Sequence, residues 1–375
     1  MSFSQINGQE KLLGYVLSEN QQRIKFVFDP RKYLFLRLLG RRSVFSKVYV
    51  EGSFNGWDKK NNDYQMRFDY AQKVWILEKT VAEINIPGNA GVPEFKFVAY
   101  LKFFGIKTEY CSASKDLAYS LCGNALIHFS DEDLDKSREA NKICSTQLKL
   151  KDFNLDLPED KLRLSNVRKV PGTTCLFRGY HPFKKSRPKF DTEELRSTLV
   201  KESFESNKIN SVITLSGEEL PEPKYGEYLC DRHKEIMQKG NNLYINTDYN
   251  IVYYHSNEEE FGKVIATVVR FINKHPGPYY IHCRLGTDRT GTVSACLAAL
   301  AGASWEEIAQ DYMLTNKMGL REYRDSRLLK YSFEKILGKP ISEVKKLKKE
   351  FGLYFEENGF LTKDELELVS KRLNK

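Results

Sequence analysis

The stretch His282-Cys283-Arg284-Leu285-Gly286-Thr287-Asp288-Arg289-Thr290-Gly291 places a cysteine and an arginine with five residues between them. That spacing lets one loop curl around a tetrahedral dianion. Backbone N–H groups point inward, a following helix adds its positive end, and the arginine fork grips two oxygens. In such a field the thiolate of Cys283 is favoured, and a thiolate held beneath phosphorus is a covalent catalyst. The chemistry expected is two-step hydrolysis of a phosphomonoester. Cys283 attacks phosphorus, Arg289 holds the equatorial oxygens, and Thr290 donates toward the sulfur as it leaves. His282 orders the loop by hydrogen bonding. Arg284, Leu285, Gly286, Thr287 and Gly291 form the rest of the cradle, with the two glycines allowing a close turn.

The flanking elements suit that task. Pro278-Tyr279-Tyr280-Ile281 reads as a short apolar strand, and Thr292 to Leu300 as a buried helix ending near Gly302. Strand, glycine-containing loop and helix is the arrangement a phosphate site of this kind requires.

The loop resembles the active-site signature of the cysteine-dependent protein tyrosine phosphatase superfamily. Its Asp-Arg-Thr ending is most similar to the bacterial tyrosine phosphatases and related phosphoinositide phosphatases. Leu176-Phe177-Arg178-Gly179, Val212-Ile213-Thr214-Leu215, Ile308 to Asn316 and Tyr354 to Phe360 resemble further segments of that branch. The resemblance spans about 165–375 and implies an α/β phosphatase domain with a central sheet flanked by helices. It also implies a general acid, for which two residues compete. Asp248, about 35 positions before Cys283, stands where superfamily members often carry a mobile acid. Asp288 is the rival, as relatives with an Asp-Arg loop use the loop aspartate. Arg178 resembles a position near the pocket, and structural pairing explains it equally well.

Before that domain the texture changes. Ile24–Phe28, Lys47–Val50, Lys73–Leu77 and Glu94–Val98 are short, aromatic-rich, roughly alternating runs between Asn-, Gly- and Pro-containing turns. Such punctuation predicts an antiparallel β-sandwich over 20–130. Glu51-Gly52-Ser53-Phe54-Asn55-Gly56-Trp57-Asp58 resembles the glycogen-binding modules of isoamylase-type enzymes and AMP-activated kinase β subunits. The resemblance implies a carbohydrate surface of Trp57, Lys96 and Asn124, with the ring stacking on sugar and the polar groups donating to hydroxyls. The second stacking tryptophan of those modules has no counterpart, Phe103 or Phe104 being the nearest aromatics. Trp75 reads as core. Residues 131–164 are polar and charge-rich and read as a linker with room for a helix.

The 375 residues suffice for two ordinary domains, and 41% hydrophobic with 29% charged residues describes a soluble globular chain. No apolar run approaches the roughly 18 residues of a membrane span, and no secretory apolar core opens the chain. Seven irregularly spaced cysteines form neither a disulfide framework nor a zinc pattern. No metal or other cofactor is expected, His181, His233 and His255 lacking ligand spacing. A required thiolate favours a reducing, cytoplasmic setting. The net charge of +9 is dispersed, so it reads as steering for acidic substrates rather than as a nucleic-acid surface.

Three substrate classes stay open for a phosphatase of this kind. A protein phosphotyrosine or dual-specificity enzyme follows from the superfamily resemblance. A phosphorylated glucan follows from the sugar-module resemblance, although glucan phosphatase loops usually carry Ala-Gly and lack the aspartate before arginine. A phosphoinositide follows from the Asp-Arg-Thr ending and the extra base Arg284, with Thr287 where many such loops carry lysine. The contrasting reading is a catalytically silent binding scaffold.

Overall fold

The computed structural model describes residues 14–32, 44–102, 107–110, 118–119, 123–217 and 229–375. It divides into two compact units. Unit 1 comprises residues 1–146 with Tyr323–Leu328, and unit 2 comprises Gln147–Glu322 with Leu329–Lys375. Phe103 and Phe104, the stand-ins for a second stacking aromatic, lie outside the described residues.

Unit 1 contains two antiparallel sheets. One has β1 (Tyr15–Leu17), β2 (Arg23–Phe28), β5 (Val74–Thr80) and β4 (Arg67–Asp69), in that order. The other orders β3 (Phe45–Gly52), β6 (Glu94–Leu101), β9 (Asn124–Leu126) and β8 (Ala118–Tyr119), with β7 (Lys107–Tyr110) also paired to β6. Alternation explains the interior. Ile24, Phe26 and Phe28 turn one way along β2, and Phe95 and Phe97 do so along β6, all into one buried cluster. Within it the Phe26 and Phe95 rings meet edge-on, with centroids 5.1 Å apart. Trp75 is in the core, as expected.

The stretch read as a linker is largely helical: α1 spans Asp131–Ser145 and α2 spans Pro158–Ser165. Polar composition concealed a narrow buried stripe on α1, Leu134, Ser137, Ala140 and Cys144, at three- and four-residue spacing. Ser130 caps α1, accepting from Asp133 N, and three acidic residues fill its first turn, where the helix dipole favours them.

In unit 2 the sheet order is β10 (Arg168–Lys169), β11 (Leu176–Gly179), β14 (Tyr279–His282), β12 (Ser211–Thr214) and β13 (Asn242–Tyr244). All pairs are parallel except β10–β11. The central strands β12 and β14 are buried at every position, as a parallel sheet covered on both faces requires. The helices that follow are α3 (Glu193–Ser206), α4 (Asp231–Gln238), α5 (Tyr249–Tyr253), α6 (Glu259–Lys274), α7 (Asp288–Ala301), α8 (Trp305–Leu314), α9 (Ser326–Leu337), α10 (Leu347–Glu357) and α11 (Lys363–Leu373). Gly302 ends α7 in the left-handed region at φ 110°, matching the expected stop. Among the described residues no helix is long and apolar enough to cross a membrane.

Two histidines are buried uncharged. Burial pushes His128 in unit 1 down to about 4 and His233 in unit 2 down to about 3. Both values lie below those of the unfolded chain, so the unfolded state binds more protons as pH falls. Stability is therefore full above about pH 6.5 and declines toward pH 4, by roughly 1.4 kcal/mol per pH unit for each histidine. Denaturant unfolding at pH 7 and pH 5 tests this, a lower midpoint at pH 5 being expected. Equal midpoints would refute it.

Candidate active site

The carboxyl ends of the central strands build the site. Register sets Gly179 of β11 and Thr214 of β12 on either side of His282, the last residue of β14. His282 is fully buried; its Nε2 lies 3.0 Å from Thr214 Oγ1 and its Nδ1 3.1 Å from Cys283 O. The ladder continues one step, Leu215 N donating to His282 O. Cys283 follows at the floor of the loop, only 3% exposed and not in a disulfide.

The loop then turns through Gly286 at φ +76° and enters α7 at Asp288. A Cβ at Gly286 would stand 2.2 Å from Gly179 O, so both the backbone angle and the close approach require glycine. Arg284 is exposed at the rim. Its Nη2 donates to Ser186 O and Ser186 Oγ donates back to Arg284 O, tying the segment 181–190 to the loop. Thr290 is buried, and its Oγ1 has no hydrogen-bond partner among the described residues.

Arg289 reaches across to two other strand ends. Its Nη1 donates to Leu215 O at 3.1 Å and to Thr247 O at 3.2 Å. The second bond brings the 247–248 segment to the loop arginine, so Asp248 is one residue from a carbonyl that Arg289 holds. Asp248 is exposed and caps α5, its Oδ1 accepting from Ile251 N at 3.0 Å. Asp288 is held differently: Tyr253 OH donates to Oδ1 at 3.2 Å and Thr287 Oγ1 to Oδ2 at 3.0 Å. Tyr253 in turn meets Tyr312, hydroxyl to hydroxyl, at 2.7 Å.

Behind the loop lies a buried ionic cluster. The Asp311 carboxylate accepts from Arg168 Nε at 2.5 Å and from Arg178 Nη1 at 2.7 Å. Arg178 Nη2 also donates to Gly286 O at 2.8 Å, and Asn166 Nδ2 to Leu285 O at 2.8 Å. Burial alone would push the Asp311 carboxyl up; the two guanidiniums overcome it and hold it below its ordinary value. Burial lowers Arg168 to about 10. The paired role left open for Arg178 is thus the one its contacts take. Asn166 and Ser186 were not anticipated, having no local signal, and Asp311 stood in a noted segment without a role. His181 and His233 are buried, and His181 Nδ1 accepts from Lys184 N at 3.1 Å. His255 lies 2.6 Å from Glu258.

Residues 200–367 match the family model for the tyrosine phosphatase family, somewhat under half of the chain. Over this stretch the chain is similar to the tyrosine phosphatase family. With Cys283 and Arg289 set in one loop, the chain is a phosphatase-type hydrolase. No curated protein sequence gave a match. Solved structures similar to it include the core catalytic domain of the PP-IP phosphatase SIW14 from S. cerevisiae with citrate. That likeness has 18% identity, covers 52% of this chain and 94% of that one, and has a TM-score of 0.28. A structure of the Siw14 catalytic core is similar at 15% identity, with the same coverages and TM-score.

In unit 1, Trp57 follows the turn after β3 at φ +62°, and Lys96 Nζ lies 5.7 Å from the centre of its ring. Glu51 pairs with Lys96 across β3–β6, and continuing the β6–β9 register sets Asn124 opposite Lys96 on the same face. The three residues expected to contact sugar therefore share one side of the sheet. Lys96 is also 2.8 Å from Glu109 and 3.9 Å from Glu51. Asn124 is buried and donates to Glu94 Oε2 at 3.2 Å. Among the described residues no His, Cys, Asp and Glu side chains cluster as a metal site.

Proposed function

We propose that the chain hydrolyses phosphomonoesters through a phosphocysteine at Cys283. The observation that carries this is the single loop in which a buried cysteine and Arg289 are set at the carboxyl ends of the central strands. In the first step Cys283 sulfur forms a bond to phosphorus while the ester P–O bond breaks. Asp248 gives its proton to the leaving oxygen. In the second step water attacks phosphorus, the S–P bond breaks, and Asp248 takes the water's proton. Arg289 stabilises the charge on the equatorial oxygens throughout. Its bonds to Leu215 O and Thr247 O orient the guanidinium and keep the Asp248 segment close.

Phosphotyrosine, alone or with phosphoserine and phosphothreonine, is the substrate class that the family match supports. A second reading, a phosphoinositide, is favoured by the rim. Arg284 is exposed and bonded to Ser186, in a segment that also carries Lys184, Lys185, Arg187 and Lys189. Glu194 pairs with Lys185 and Glu322 with Arg187. Unit 1 is proposed to hold an α-glucan against Trp57, which would localise the enzyme or supply a phosphorylated glucan.

Phosphate release from a phosphotyrosine peptide, a phosphoinositide set and phosphorylated amylopectin tests the reaction. Cys283→Ser should lower release from every substrate by at least about 10³-fold. Release insensitive to the substitution would defeat the mechanism, and no release from any ester by wild type would leave a binding scaffold. Asp248→Asn keeps the helix cap but cannot give up a carboxyl proton. It should slow turnover of poor leaving groups by about 10²–10⁴-fold. A larger loss in Asp288→Asn would move the acid role to the loop. For unit 1, co-sedimentation with amylopectin should be lost in Trp57→Ala; retention would remove the ring from the binding surface.

A further inference from the structure

The ionic cluster behind the phosphate loop has a geometric consequence for its anion site. A trans peptide is planar, so its C=O and N–H point in opposite directions. Three successive loop carbonyls are pulled to the rear: Leu285 O by Asn166 Nδ2, Gly286 O by Arg178 Nη2, and Thr287 O by the same Nη2 at 3.4 Å. The N–H groups of Gly286, Thr287 and Asp288 belong to those three peptides. They must face the opposite way, toward the concave side where the anion sits.

Carbonyl oxygens on that side would repel a phosphate dianion, so orientation of these peptides decides whether the loop is a cradle. The Thr287 carbonyl is also held from within the loop, accepting from Gly291 N at 2.8 Å, whereas side chains from outside it hold the Leu285 and Gly286 carbonyls. These side chains and their partners come from the end of α2, from β10 and β11, and from α8. Asn166 is fully buried at φ 53°, and its Oδ1 accepts from Arg168 Nη1 at 2.5 Å. Arg168 and Arg178 converge on Asp311. The next residue, Tyr312, closes the other flank: its hydroxyl meets Tyr253, which donates to Asp288 Oδ1. Its ring also lies 3.1 Å from where a Cβ on Gly291 would stand.

The structure assigns to Asn166, Arg168, Arg178 and Asp311 the role of positioning residues that turn the phosphate-loop N–H groups toward the bound oxyanion. None of them needs to touch the substrate. The assignment rests on the loop's being the phosphate site, and its test is arranged so that the two can fail separately.

Two variants of the full chain spare the Asp311 counter-charge. Asn166→Gly retains the left-handed backbone and removes the side-chain amide, both the donor to Leu285 O and the acceptor from Arg168 Nη1. Arg178→Lys keeps the positive charge beside Asp311 but loses the fork that spans Asp311 and Gly286 O. Orthovanadate and inorganic phosphate serve as oxyanion probes. The readouts are the concentration that half-protects Cys283 from iodoacetamide, followed on the Cys283 peptide by mass spectrometry, and kcat/KM on an aryl phosphate. Thermal unfolding is recorded alongside.

Each variant is expected to need about tenfold more oxyanion for half-protection, with kcat/KM falling by a similar factor while folding is retained. Protection at wild-type concentrations in a folded variant, with turnover reduced, would overturn the assignment. So would losses that merely track the fall in Tm and vanish on cooling. A wild type that hydrolyses no ester, together with shifted protection in the variants, would sink the hydrolase reading and support the positioning role.

Discussion

The Asp311 carboxylate, held between the guanidiniums of Arg168 and Arg178, is the interaction on which the architecture of the site depends. The side chains of the two arginines are 5% and 1% exposed and that of Asp311 is 10% exposed, so these charges are largely removed from water. Desolvating ions costs several kcal/mol each, and stripping one partner from such a cluster typically costs about 3–5 kcal/mol. A protein carries that burden where it fixes a geometry that apolar packing cannot. Here the geometry is that of the loop: Asn166 holds the Leu285 carbonyl, Arg178 that of Gly286, and Arg178 together with Gly291 N that of Thr287.

The rest of the site follows from that anchoring. The parallel sheet brings the ends of β11, β12 and β14 together, which sets Gly179, Thr214 and Cys283 at one edge. With the loop fixed from behind, α7 starts beside it and Arg289 extends to the carbonyls of Leu215 and Thr247. The arginine therefore links three strand ends and carries the Asp248 segment with it. In the proposed mechanism Cys283, Arg289 and Asp248 act on one phosphorus atom because rigid strands bring the loop and the 247–248 segment together.

Unit 1 rests on a different constraint. Its two sheets are held by an aromatic interior, and the polar row Glu51, Lys96 and Asn124 stays on the other side of β3, β6 and β9. Lys96 lies among carboxylates while over the Trp57 ring, so the ring face and the cation form one surface. Burial pushes the Glu51 carboxyl up, with Lys96 opposing that shift. The Trp57 ring is the part proposed to stack on a sugar.

The sequence by itself determined where the loop lies and the phosphatase class it points to, because Cys283, Gly286, Arg289 and Thr290 fall within one short stretch and their spacing is local. It also pointed to β2, β3, β5 and β6 of unit 1 and to β14 of unit 2, whose alternating or continuous apolar runs show directly in the sequence. Helix α1 reads in the sequence only as a linker with room for a helix, because its buried stripe is narrow and includes Ser137, so average polarity outweighs periodicity. Only the tertiary structure decided what holds the loop in shape. Arg168 and Arg178 stand 143 and 133 positions from Asp311, and Asn166 stands 119 from Leu285. No pattern of neighbours encodes such pairs. An arginine in a short strand reads the same whether it faces water or a buried carboxylate, and only folding settles which.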